Sequence, residues 1–158
     1  YFVDPVHRAI GLSHSGWKGT VPRMGQKTIE AMGEAFGTKP EDLRVCIGPS
    51  ICRDCYEVSE DVAEAFAKEF PDNEKEILKS KGSGKYLLDL WRANEIVFME
   101  AGVPKEQIVR LGWKHCSLSR KVRALVCRRI RLHCTLSSIS AMNLTIMRLA
   151  GIVKSGRK

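Results

Sequence analysis

The chain has 158 residues, enough for one domain with a sizeable core and too few for two. Its 44% hydrophobic and 28% charged residues are the composition of a globular protein; no apolar run approaches the ~20 residues that cross a bilayer, and no export pattern opens the chain, so no membrane partner is expected and the expected location is the cytoplasm. The net charge of +8 is uneven, because the eleven Lys and Arg after Leu111 face no Asp or Glu, whereas the fifteen before it are outnumbered by all eighteen acidic residues, which confines any polyanion binding to the tail.

Tyr1-Phe2-Val3 reads as a strand entered without any lead-in, so an amino-terminal part is expected to be missing. Asp4-Pro5-Val6-His7 reads as a turn, and Ala9-Ile10-Gly11-Leu12 as a buried strand that delivers His14 at its carboxyl end, where α/β sheets place ligands. In the loop that follows, Gly16 and Gly19 lack Cβ atoms, so the backbone N–H groups are expected to turn toward a bound anion. Lys18 adds charge there, and Thr20 is expected to cap the next helix. That helix is predicted over 21–36, with Met24, Ile29, Met32 and Phe36 inward and Gly37 at its end. A short turn over 38–42 leads to a second buried strand over 44–47, in which Cys46 is expected as a small buried hydrophobe.

Gly48-Pro49-Ser50-Ile51-Cys52-Arg53-Asp54-Cys55-Tyr56-Glu57-Val58 is irregular. Ser59 is placed as the cap of a helix over 61–70 with Val62, Phe66 and Phe70 on one face. Residues 71–85 are polar and lysine-rich and read as an exposed loop. A helix over 87–101 puts Leu88, Trp91 and Phe98 inward, is interrupted by Asn94 and ends at Gly102; a strand is expected from Ile108-Val109. The order strand, helix, strand, helix, helix, strand predicts an α/β domain over 1–112. Residues 113–158 show neither strand nor helix period and read as a basic, divergent tail.

Six cysteines and four histidines bear on chemistry. Cys52-Arg53-Asp54-Cys55 has the CxxC spacing of a zinc knuckle or a redox pair, but Cys116, Cys127 and Cys134 supply no second pair at knuckle spacing, and Tyr56-Glu57-Val58 separates the motif from the following helix. His14 with a cysteine remains open either as part of a metal site that leaves room for substrate or as a thiolate pair.

Two stretches in order carry a family resemblance over about residues 1 to 110. His14-Ser15-Gly16-Trp17-Lys18-Gly19-Thr20 resembles the His-Ala-Gly-Trp-Arg-Gly-Thr stretch of the laccase-domain, or multicopper polyphenol oxidase, proteins, now regarded as purine nucleoside phosphorylases. Gly48-Pro49-Ser50-Ile51 through Asp54-Cys55-Tyr56-Glu57-Val58 is similar to their Gly-Pro-x-Ile-x-x-Cys-Cys-Tyr-Glu-Val stretch, with Asp54 in place of the first cysteine; Asp89-Leu90, Asn94 and Gly102-Val103 also fit. The resemblance implies a single layered α/β domain with mixed sheets and flanking helices, incomplete here.

It further implies a metal, usually zinc, held by two histidines and a cysteine, of which His14 is the last and the other two precede Tyr1. The implied activity is phosphorolysis of adenosine or inosine together with adenosine deamination, with a purine nucleoside and phosphate as partners. Gly16, Lys18, Gly19 and Thr20 are the candidates for phosphate or substrate, and Cys55 and Tyr56 for catalytic or substrate-contacting groups. The alternatives are copper-dependent oxidation of phenols, for which four histidines are few, and a basic-tailed binding protein without enzymatic activity. The tail carries no nucleic-acid motif, so nucleic acid is not the expected partner. It also departs from the family pattern, and a frameshift after about Val109 would account for that.

Overall fold

The alternation buried, exposed, buried along β1 (Phe2–Asp4) and β2 (Ala9–Gly11) lets these short strands pair antiparallel, with Val3 opposite Ile10. The turn between them is built by Asp4, whose carboxylate accepts the N–H groups of Val6 at 2.9 Å and His7 at 3.0 Å, an Asx-type turn. Its other oxygen lies 2.8 Å from His7 Nδ1. The computed structural model that shows this arrangement describes residues 1–111.

β1 also pairs antiparallel with β3 (Arg44–Ile47), and β3 pairs parallel with β7 (Ile108–Arg110), giving the order β2-β1-β3-β7. Among the described residues the expected buried strand before His14 is therefore an edge strand of three residues. Ile10 and Leu12 are exposed; Ile10 alternates with the buried Ala9 and Gly11 onto the face of the sheet turned away from the core. Cys46 is half-buried rather than buried, since it alternates with the buried Val45 onto that same outward face.

The loop expected over 71–85 is folded. It contains α4 (Glu74–Ile77), β5 (Leu78–Gly82) and the start of β6 (Lys85–Leu88), and β6 joins β4 (Glu57–Ser59) in an antiparallel sheet of order β4-β6-β5. Only Ile77, Leu78 and Leu88 are fully buried along this stretch. The lysines between them hide the strand period.

Four helices complete the described fold: α1 (Trp17–Thr20), α2 (Met24–Phe36), α3 (Glu60–Glu69) and α5 (Leu90–Glu100). The run expected over 21–36 starts at Met24, because Arg23 takes a left-handed conformation with φ 56° that separates α1 from α2. Its guanidinium bonds Glu69 and Glu100 and lies over the Phe70 ring. Gly37, at φ 72°, closes α2 as expected. Ser59 stands at the amino end of α3, but its hydroxyl bonds the Asp61 carboxylate and caps no backbone N–H. α5 begins at Leu90 because Leu87 and Leu88 belong to β6 and Asp89 caps the helix by accepting the Arg92 N–H at 2.9 Å.

The core joins both sheets through Phe2, Met32, Val45, Phe66, Leu88 and Val97. α2 crosses α5 at Gly25, where an added Cβ would stand 2.4 Å from Phe98 Cε1. The Phe98 ring in turn meets Phe2 edge to face at 5.5 Å. Among the described residues no helix is long and apolar enough to cross a membrane. The expectations for His115, Cys116, Cys127, His133, Cys134 and the divergent tail lie outside the described residues.

Candidate functional site

β2 ends at Gly11, and the chain carries an exposed His14 into the bend that opens α1. The bend is tight. A Cβ on Gly16 would stand 3.2 Å from His14 Nε2, and one on Gly19 3.0 Å from the His14 carbonyl oxygen, so a side chain at position 19 would have to displace the loop backbone.

The donors expected to face an anion are partly used within the loop. Gly19 N–H and Thr20 N–H both donate to the Gly16 carbonyl, at 2.9 and 2.8 Å. Thr20 does not cap α2: it is buried at the end of α1, and its hydroxyl lies 3.0 Å from the Gly16 carbonyl and 3.1 Å from that of Ser15. Lys18 remains exposed, its ammonium 5.4 Å from the Trp17 ring centroid. Among the described residues the buried Ser15 hydroxyl finds no hydrogen-bond partner.

The second motif leaves β3 and passes through a single helical turn, Arg53–Cys55, into β4. Cys52 is buried and Cys55 exposed, and neither forms a disulfide among the described residues. Tyr56 is half-buried against the core, and burial pushes its phenol up, so it stays protonated at neutral pH and is available as a donor.

α5 joins the two motifs. Trp91 Nε1 donates to Ser50 Oγ, and one turn later Asn94 Nδ2 donates to Thr20 Oγ1 at 3.0 Å and to the Leu90 carbonyl at 2.8 Å. The sequence reading treats Asn94 as an interruption of an apolar stripe. That interruption is itself the signal, since a buried amide has to find hydrogen-bond partners, and besides the Leu90 carbonyl of its own helix the partner found is Thr20 of the His14 loop. His14, Gly16 and Gly19 are thus brought together in one loop, and Cys55 and Tyr56 are carried separately on the approach to β4.

Among the described residues, no three His, Cys, Asp or Glu side chains converge to hold a metal ion. His14 offers an accessible imidazole, whereas His7 is engaged by Asp4. One imidazole does not make a zinc or copper site, which requires three or four ligands, so these residues do not by themselves fit the expected metal.

The two sheets with their flanking helices and the glycine-bounded histidine loop define an α/β protein of the laccase-like class, with structural neighbours of the YfiH type. The chain belongs to the multi-copper polyphenol oxidoreductase laccase family, whose sequence profile matches residues 1–124. It is 41% identical over 105 residues to a purine nucleoside phosphorylase of Bacteroides thetaiotaomicron, a match covering 66% of this chain and 39% of that protein. It is 34% identical over 131 residues to adenosine deaminase RL5 from an unknown prokaryotic organism, covering 83% of this chain and 49% of the relative. The crystal structure of Bacillus licheniformis hypothetical protein YfiH superposes with a TM-score of 0.69 at 31% identity, over 73% of this chain and 44% of that one. The chain therefore spans less than half the length of these relatives.

Proposed function

We propose that this chain carries part of a purine nucleoside site in the cytoplasm, with phosphorolysis of adenosine or inosine, accompanied by adenosine deamination, as its chemistry. The observation that carries this reading is an exposed His14 and Lys18 on a loop braced from behind, in a chain similar to proteins named purine nucleoside phosphorylase and adenosine deaminase.

In phosphorolysis a phosphate oxygen bonds to ribose C1′ while the C1′–N9 bond breaks. Its electron pair leaves with the purine, which takes up a proton. Lys18 supplies positive charge for the phosphate, as a point charge without the two-pronged grip of an arginine. Gly16 keeps the space beside the imidazole open, and His14 presents that imidazole as the proton partner for the departing base. Tyr56, protonated, donates a hydrogen bond to the nucleoside, with Cys55 beside it. Zinc, or copper as the alternative, would need ligands besides His14, and no step above passes through a metal. The polyphenol oxidase reading gains nothing from His7, which is held by Asp4.

The test is incubation of the purified chain with adenosine and phosphate, following ribose 1-phosphate and inosine, beside elemental analysis of bound metal. Ribose 1-phosphate formation, with Lys18→Ala raising the KM for phosphate about tenfold (a charge-assisted contact of ~1.4 kcal/mol), is the expected result. Absence of turnover together with absence of adenosine and phosphate binding by calorimetry would overturn the reading.

A further inference from the structure

We infer that Asn94 is a positioning residue for the His14 loop, acting through Thr20; this rests on the reading of that loop as the binding face. Neither side chain reaches solvent, with Thr20 1% and Asn94 5% exposed, so any effect on a ligand must pass through the backbone between them and His14.

The loop cannot hold its own shape. α1 has four residues, far below the length at which a helix is stable alone, and Gly16 at its amino end offers no side-chain cap. Its fixed points are the carbonyls of Ser15 and Gly16, both within reach of the Thr20 hydroxyl at 3.1 and 3.0 Å. A hydroxyl has one hydrogen to donate. Its orientation toward those carbonyls is set by the group that occupies its lone pair, and that group is Asn94 Nδ2 at 3.0 Å. The second hydrogen of the same amide goes to the Leu90 carbonyl at 2.8 Å, which fixes the amide with its nitrogen toward both acceptors.

A directed chain of hydrogen bonds therefore runs from α5 through Asn94 and Thr20 to the Ser15–Gly16 and Gly16–Trp17 peptide groups, just beyond His14. Gly16 closes this chain onto the imidazole, the space of its absent Cβ lying 3.2 Å from Nε2. The direction of donation is what matters. Asn94→Asp keeps the shape but, when ionised, offers only acceptors, so above its titration the Thr20 hydroxyl must turn toward it and abandon Gly16. Asn94→Leu removes the donor, as Thr20→Val removes the relay; Thr20→Ser keeps the hydroxyl.

The experiment uses amide hydrogen exchange and His14 ring resonances of the full-length chain, isotopically labelled, with adenosine and inorganic phosphate titrated into each variant. Exchange at the Gly19 and Thr20 amides is expected to rise at least tenfold in Asn94→Asp and Thr20→Val, with a shift of the His14 ring protons. The β5–β6 amides should be unchanged, and Thr20→Ser should stay within twofold of the parent. Where the parent binds adenosine or phosphate, Kd should rise in the same variants. Exchange at Gly19 and Thr20 within twofold of the parent in both variants overturns the inference, and Thr20→Val alone decides it if Asn94→Asp does not fold. A parent that binds neither ligand refutes the proposed function, while the exchange and ring-shift results still decide whether Asn94 positions His14.

Discussion

In the sheet β2-β1-β3-β7 apolar side chains stand on both faces, whereas the sheet β4-β6-β5 turns one face to the core and sets Glu57, Lys79 and Lys81 on the other. Phe2 and Val45 of the first sheet point into the core, yet Val3, Ile10 and Val109 on the opposite face are 43%, 47% and 54% exposed. An antiparallel sheet with one wet face normally alternates apolar with polar, and apolar residues on both faces belong to sheets covered on both sides. The second sheet follows the first of these patterns and needs only the core of this chain. The first carries Val3, Ile10 and Val109 on its outward face, and among the described residues that face stays partly exposed.

Removing inward side chains should break the comparison most strongly. Phe2→Ala empties a core position packed against Phe98 and should cost about 3–5 kcal/mol, read as a lower urea midpoint with the slope unchanged. Acid comes next, and acts chiefly on the first sheet, since the Glu57 carboxyl of the second, also held below its ordinary value by its bond to Lys81, is fully exposed. Burial by itself would raise the Asp4 carboxyl, but the Thr38 hydroxyl beside it, the His7 N–H, the His7 ring and the Val6 N–H together hold it down to about 2. A depressed carboxyl stabilises the fold above its unfolded value and loses that contribution as pH falls through the folded one. Stability should therefore decline between about pH 4 and pH 2, and Asp4→Asn should flatten that limb of a pH–denaturation profile.

The outward face should respond differently. Ile10→Lys combined with Val109→Lys should change stability by less than about 1 kcal/mol, as surface changes do, while reducing self-association and dye binding measured by sedimentation and ANS fluorescence. The smallest effect is expected on the second sheet, where Lys81→Ala breaks the exposed pair with Glu57. It should leave the urea midpoint unchanged, as loss of an exposed ion pair does, and show no change in association.

The contrast between the sheets also accounts for what was legible in the sequence. The strand over 44–47 matches β3, and Met32, Ile29, Val62, Phe66 and Phe98 are buried as their helical spacing predicts, because hydrophobic periodicity reports directly on which face is inside. The β5–β6 hairpin was missed because its few buried residues are separated by lysines, so no run of alternating apolar residues marks it. The break at Arg23 was missed for another reason. A non-glycine residue in a left-handed conformation carries no local signal, and this one is held by Glu69 and Glu100, each far away in sequence.

By itself the sequence determined the α/β class, the family, and the two motifs with His14 in the loop after a strand, because these depend on residue type and local spacing. Tertiary structure alone decided that β2 is an edge, that the Gly19 and Thr20 N–H groups turn into the loop, and that Asn94 and Trp91, one turn apart on α5, bond the two motifs. The physical reason is range. Periodicity is written over a few residues, whereas the partner of a buried amide is fixed only when a helix 74 positions away packs beside it.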